Sequence, residues 1–214
     1  MTLRRLVIIG SGGHARVIAS TAECHNYSSI TRLRFENLND LVKKLKSKDN
    51  YLLMDGNFEL LIGIGDNYLR SEINKKLREL DLLDRIGILK HSTSFVDRSA
   101  LIGAGTVIMA GAIVQAGVNI GKHCIVNTKA SIDHDSIMED FSSLAPGTTL
   151  GGNVKIGKTS AVCIGATISH NIKVGENVIV GANSYVNKDL PKDTTCYGCP
   201  AKVIRKRGKD DAYL

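Results

Sequence analysis

The chain has 214 residues, of which 43% are hydrophobic, 23% charged and only 5% aromatic, with 21 Gly, 3 Pro and no Trp. At roughly 150 residues per domain this is one large domain or two small ones, and the composition excludes a collagen-like, Pro-rich or disordered chain. A net charge of +7 leaves nucleic acid, a membrane surface or small anions as partners, and a core almost without rings needs some other filling.

The first apolar run, Leu6-Val-Ile-Ile9, is too short for the core of a signal peptide, and no segment approaches a membrane span. It reads as a strand buried on both faces. Gly10-Ser-Gly-Gly-His-Ala15 follows at once and fits the dinucleotide fingerprint G-x-G-x-x-A. Glycines there allow a tight turn and close approach, and the helix that follows offers unpaired N–H groups to a phosphate. That helix carries Val17, Ile18, Thr21 and Ala22 at helical spacing. A second strand ends in Thr31-Arg-Leu-Arg-Phe-Glu36, and a helix over 38–45 turns Leu38, Leu41, Val42 and Leu45 to one side. Glu59-Leu-Leu-Ile-Gly-Ile-Gly65 is another buried strand. A helix over 68–80 points Leu69, Ile73, Leu77 and Leu80 inward, and 86–89 is a last short strand. The alternation predicts a small parallel sheet with helices on its faces. About 90 residues hold one mononucleotide half, hence one nucleotide and not two.

From residue 95 the chain divides into sixteen hexads, and the second place, from Val96 to Val186, is aliphatic in every one. Only Phe95, Phe141 and Tyr185 are aromatic in this stretch. A six-residue period reads as short strands stacked into a parallel β-helix, each with one inward aliphatic residue and small residues such as Ala112, Ala130 and Ser142 two places before the next. Of the six His, His134 is the one flanked by carboxylates, Asp133 and Asp135, which fits a general base whose ring is oriented and made more basic. An exposed imidazole at a turn is the plain alternative. The five Cys at 24, 124, 163, 196 and 199 read as reduced thiols of a cytoplasmic protein. Cys196-Tyr-Gly-Cys199 is half a zinc site without a second pair, so no metal is expected. Lys202, Arg205, Lys206, Arg207 and Lys209 have no interleaved aromatic residues and read as a solvated tail, which argues against nucleic-acid binding.

The hexads resemble those of the hexapeptide acyltransferases, whose fold is a left-handed parallel β-helix. Over residues 4–207 the chain resembles more narrowly the NeuD/PglD-like sugar acetyltransferases. The matching residues are Ile9-Gly-Ser-Gly-Gly-His14, Ile64-Gly-Asp-Asn67 with Arg70, Asp133-His134-Asp135 and Gly198-Cys-Pro-Ala-Lys202. The resemblance implies a nucleotide-sugar-binding α/β domain over 1–90 and a left-handed β-helix acetyltransferase domain with a short basic tail over 91–214. It implies a homotrimer with active sites between subunits, no membrane insertion and no metal. The activity it implies is direct transfer from acetyl-CoA to the amino group of a nucleotide-activated amino sugar, in surface-glycan biosynthesis. It places the catalytic base at His134 and its acidic partner, usually Glu, at Asp135. The nucleotide sugar is placed at Gly10, Ser11, Gly12, Gly13, His14, Gly65, Asp66, Asn67 and Arg70, with Arg70 facing a phosphate, and the acceptor pocket at Asn127. Acetyl-CoA is placed at Gly152, whose N–H meets the developing oxyanion, and at Ser143, Ile164 and Ala182. Many relatives carry His where this chain has Ser143, and acidic residues at the end of the second strand, where Glu36 is the nearby acid here. Sialic-acid-type O-acetylation, an NAD(P) oxidoreductase module and a non-catalytic scaffold are the alternative readings.

Overall fold

The computed structural model describes residues 3–47, 56–208 and 210–211; Met1, Thr2 and Lys209 of the basic tail lie outside the described residues. β1 (Arg5–Ile9), α1 (Gly13–Ala22), β2 (Ser29–Leu33), α2 (Leu38–Lys46), β3 (Phe58–Ile62) and α3 (Asn67–Glu79) follow in the predicted order. The strands form a parallel sheet in the order β2-β1-β3. Layers cover both faces of the central strand, so Leu6, Val7, Ile8 and Ile9 are at most 1% exposed, and four apolar residues run without alternation. α1 packs on one face through Ala15, Ile18 and Ala22, and α2 and α3 on the other through Leu41, Leu45, Ile73 and Leu77. Asn37 and Asp66 start α2 and α3 by accepting the N–H of Asp40 and Leu69. The strand expected over 86–89 is divided between two sheets. Ile86 makes one bridge to Leu60, whereas β4 (Leu89–Lys90) pairs with Val107 and Ile108 and opens the second half of the chain.

That half is a left-handed parallel β-helix. Its two-residue strands, from β5 (Phe95–Val96) to β20 (Tyr185–Val186), occupy the first two places of the sixteen hexads. Each pairs with strands one coil away, as Ile125 does with Val107 and Ser143, so three sheets line a triangular prism. From Ile108 to Val186 every second-place residue is at most 2% exposed. The sixth place also points inward and holds mostly small or hydroxylic residues, with Val118, Val154, Ile172, Val178 and Leu190 between them: Ala112, Cys124, Ala130, Ser142 and Ala166 are all 0% exposed. Buried hydroxyls there join the coils. Thr106, Ser136 and Ser160 donate to the carbonyls of Gly121, Gly151 and Gly175 and accept the N–H of Cys124, Val154 and Val178.

The fifth place turns each corner. Its φ is positive at every sixth residue from Gly105 to Asn183, fourteen corners in succession. Gly and Asn fill nine of these; His123, Lys129, Asp135, Phe141 and Thr159 adopt the left-handed region against their ordinary preference. Among the described backbone bonds, none of these corner carbonyls accepts from a neighbouring coil. The coils end in a hairpin of β21 (Thr194–Gly198) and β22 (Ala201–Lys206), turned by Gly198-Cys-Pro-Ala-Lys202. The sheet face that carries Val107 and Ile125 is closed by the N-terminal domain, in one cluster with Leu6, Ile8, Ile18 and Ala22.

Ile132 and Ile137 test this register, being 0% and 41% exposed respectively. Ile132→Ala is expected to destabilise the fold by about 3 kcal/mol and Ile137→Ala by less than about 1 kcal/mol, measured by urea denaturation. Equal costs would contradict the inward assignment of the second place.

Candidate active site

Ligands of an open parallel sheet bind beyond the carboxyl ends of its strands, where the strand order reverses. Here that point lies between β1 and β3, and the loops there are Gly10–Gly13 and Gly63–Asp66. The two loops touch: Gly10 has φ 125°, and a Cβ there would come within 2.9 Å of the Gly63 carbonyl. A Cβ on Gly12 or Gly65, by contrast, would meet nothing within 4 Å. Ser11, Gly12 and Gly13 are exposed at the start of α1, which no side chain caps. His14 follows. Burial and the nearby Arg70 charge lower its pKa to about 4, so it is neutral, and its Nε2 is buried without a hydrogen-bond partner among the described residues.

A cavity of about 750 Å³ opens between this end of the domain and the solenoid. His14, Val17 and Gly65 line one wall; Asn127, Ser143, Ile164 and Ala182 stand on the other. It therefore gathers expected substrate residues and expected acetyl-CoA residues around one space. Val17, expected on the buried side of α1, is 44% exposed and faces this cavity. Thr128 and Pro146, which precede Ile164 and Ala182 along the same prism edge at one-coil intervals, were not anticipated from the sequence. Taking every eighteenth residue finds them. The wall is largely apolar, with Ile125, Leu144 and Cys163 completing it. Burial raises the Cys163 thiol pKa, which disfavours a covalent acyl carrier there.

His134 and Asp135 lie on a different edge. His134 Nδ1 is 2.9 Å from Asp135 Oδ2, and Asp133 Oδ1 accepts the His134 N–H at 2.8 Å. A carboxylate only accepts, so Nδ1 carries the proton and Nε2 keeps its lone pair. The hydrogen bond to Asp135, reinforced by the charge of Asp133, raises the pKa of His134 above its ordinary value. Asp therefore reaches the ring despite being one carbon shorter than Glu. One coil on, Gly152 lies beneath the ring: a Cβ there would come within 2.6 Å of Nε2. The Gly152 N–H makes no hydrogen bond among the described residues.

Three expected ligand residues are engaged by the protein itself. Arg70 is 1% exposed, and all five of its N–H groups are occupied by protein acceptors. Asn67, 3% exposed, donates to the carbonyls of Thr159 and Ser160. The Asp66 carboxylate accepts the Leu69 N–H at 2.7 Å. Packing of α3 on the solenoid edge explains this: the corner carbonyls beneath it need donors. His123 is 2% exposed and stacks on Phe141 with ring centroids 5.2 Å apart. An aromatic residue at a corner place was the available signal. Near Glu36 a second acid, Asp40, accepts the Glu36 N–H, but Lys44 already binds it. Among the described residues no three His, Cys, Asp or Glu side chains are grouped to hold a metal, and no helix is long and apolar enough to cross a membrane.

The family model of the PglD N-terminal domain matches residues 5–77. The acetyltransferase domain of PglB from Neisseria gonorrhoeae has a TM-score of 0.86 at 33% identity, over 94% of this chain and 100% of that one. The chain belongs to the PglD-like hexapeptide-repeat acetyltransferases. PerB from Caulobacter crescentus, solved in complex with CoA and GDP-perosamine, has a TM-score of 0.83 at 29% identity, over 95% of this chain and 99% of that one. The serine acetyltransferase of Synechococcus elongatus is 31% identical over 111 residues, 47% of this chain and 46% of that protein. This PglD-like chain spans about half the length of the curated relatives it matches.

Gly152→Ala is expected to push the His134 ring off Asp135 while leaving the fold intact, since Gly152 is not in the left-handed region. The His134 resonance in NMR should then titrate at lower pH, with Tm nearly unchanged. An unaltered titration would mean that the ring has room elsewhere.

Proposed function

We propose that this chain is an acetyl-CoA-dependent N-acetyltransferase acting on the amino group of a nucleotide-activated amino sugar of surface-glycan biosynthesis, in the cytoplasm. The observation that carries this reading is the cavity, with His14 and Gly65 on one wall and Ile164 and Ala182 on the other. PerB, so similar in fold, was solved with CoA and a nucleotide sugar, and the PglB domain with acetyl coenzyme A. The five free thiols suit a reducing compartment.

The residues fit both substrates. The start of α1 and Gly12 receive the pyrophosphate, with Gly65 facing the nucleotide from the second loop. The apolar edge through Ile164 and Ala182 lies along the pantetheine arm. Acetyl-CoA supplies an acetyl thioester. His134 Nε2 takes the proton of the attacking amine, Asp135 holds the ring in the tautomer that permits this, and the Gly152 N–H stabilises the oxyanion. Asn127 orients the acceptor. His134 stands on another prism edge than the cavity. The complete site therefore joins the His134 edge of one subunit to the cavity of its neighbour in a homotrimer.

His134→Ala should lower kcat by about 10²–10⁴-fold with little change in KM for acetyl-CoA. His134→Ala and Asn127→Ala chains, each impaired, should recover activity when co-expressed, because mixed interfaces pair an intact His134 with an intact Asn127. Failure to recover would place each site within one chain. The base acts when neutral, so kcat/KM falls as pH drops through its pKa, on the alkaline side of an ordinary His. Asp135→Asn removes the largest cause of the raised pKa and should move that acid limb to lower pH.

A further inference from the structure

We infer that Arg70 is a positioning residue that sets the nucleotide cleft without touching the nucleotide, an inference that rests on the nucleotide-sugar reading above. Its guanidinium joins three separate pieces of the protein. Nη1 donates to the carbonyls of Ile64 and Gly65, both at 3.0 Å, in the loop after β3. Nη2 donates to Asn67 Oδ1 at 2.6 Å in the first turn of α3, and to the Phe141 carbonyl at 2.9 Å. Nε donates to the His123 carbonyl at 2.8 Å. A guanidinium has five N–H donors, and five acceptors are met. None is left to reach a phosphate.

The acceptors explain why the residue is Arg. His123 and Phe141 are corners of successive coils, with φ of 54° and 61°. Their carbonyls are outside the coil-to-coil ladder, and the stacked rings of the same two residues are almost fully buried. Without donors these carbonyls would be buried unsatisfied. A planar fork serves two of them and turns its remaining donors to the opposite side; an ammonium cannot span both sides with fixed geometry.

On that opposite side is the loop that bounds the ligand space. Gly65 lines the cavity, and open space lies where its Cβ would be. Its carbonyl is held from behind by Arg70. Arg70 thus ties the Gly65 wall directly to the solenoid, beside the Asn67 hydrogen bonds and the shared apolar cluster that join the same two bodies. The same charge adds to burial in lowering the pKa of His14, which lines the cavity with Gly65.

The test measures binding by calorimetry for the parent chain, Arg70→Lys and Asn67→Ala, using CoA, the diphosphates UDP, GDP and dTDP, and the nucleosides uridine, guanosine and thymidine. Arg70→Lys is expected to weaken the nucleoside diphosphate that the parent binds by about tenfold or more, the effect of one lost charged hydrogen bond. The matching nucleoside should lose by the same factor, and CoA should stay within about twofold. Should Arg70→Lys not fold, Asn67→Ala, which removes one acceptor of the fork, carries the same pattern with a smaller loss. Unchanged nucleotide affinity in a folded variant overturns the inference. A loss confined to the diphosphate, with the nucleoside unaffected, also overturns it and makes Arg70 a direct phosphate ligand. Equal loss of CoA and nucleotide reduces Arg70 to a general stabiliser. If the parent binds none of the three diphosphates, the nucleotide-sugar reading itself fails.

Discussion

The left-handed corner at every sixth residue is the constraint on which the molecule depends. It costs roughly 1–2 kcal/mol for a residue with a side chain, yet it recurs at Lys129, Phe141 and Thr159 as well as at Gly and Asn. The return is a coil closed after three strands, with every strand inside the stack paired above and below. Closure leaves a narrow interior. Single aliphatic residues at the second place, and at the sixth Ala, Ser, Thr or Cys with branched aliphatics such as Val118 and Val178, fill it, so rings are excluded from the inside and the composition is poor in aromatics.

The same geometry creates three unlike edges from one repeat. Corner carbonyls are unused by the ladder, so an edge that becomes buried must be given donors. The edge carrying His123, Phe141 and Thr159 receives them from Arg70 and Asn67, and this anchors the N-terminal domain. The edge through Thr128, Pro146, Ile164 and Ala182 stays open as a cavity wall. The third edge, with His134 above Gly152, presents outward an imidazole held by Asp135 and a backbone N–H without a partner among the described residues. A repeat that is uniform inside can thus carry a clamp, a groove and a His–Asp pair outside, because the first-, third-, fourth- and fifth-place residues vary in chemistry.

The solenoid was legible almost residue by residue because its period is rigid. An inward aliphatic place that never slips admits one register, and the strands fall where the hexads put them. The parallel sheet was legible for a similar reason, since Leu6–Ile9 is apolar without alternation. The divided strand near Ile86 was not, because its two halves serve different sheets and local pattern does not say which. Within the site, sequence motifs located the loops but not the direction of side chains. Arg70 next to a glycine-rich loop reads as an anion ligand; that it turns backward onto the solenoid depends on a contact between residues more than fifty positions apart. His123 was hidden in the same way. Its burial follows from α3 lying over that edge and not from any property of its own hexad.

The three instructive histidines show how environment assigns chemistry to one residue type. His14 and His123 are buried near the fixed charge of Arg70, and both have pKa values lowered to about 4. They are neutral at any working pH and cannot cycle a proton usefully; His14 offers only a dipole to whatever occupies the cavity. His134 is exposed, and its two aspartates raise its pKa. A base for an amine must accept a proton near neutrality and release it again, which requires a pKa near that range. Burial and a cation lower the pKa of the first two, and two carboxylates at a solvated corner raise that of the third, the direction the proposed role as base needs. Like groups are pushed apart in pKa by their surroundings: in this chain burial, assisted by Arg70, pushes two histidines down, and the hydrogen bond to Asp135 pushes the third up.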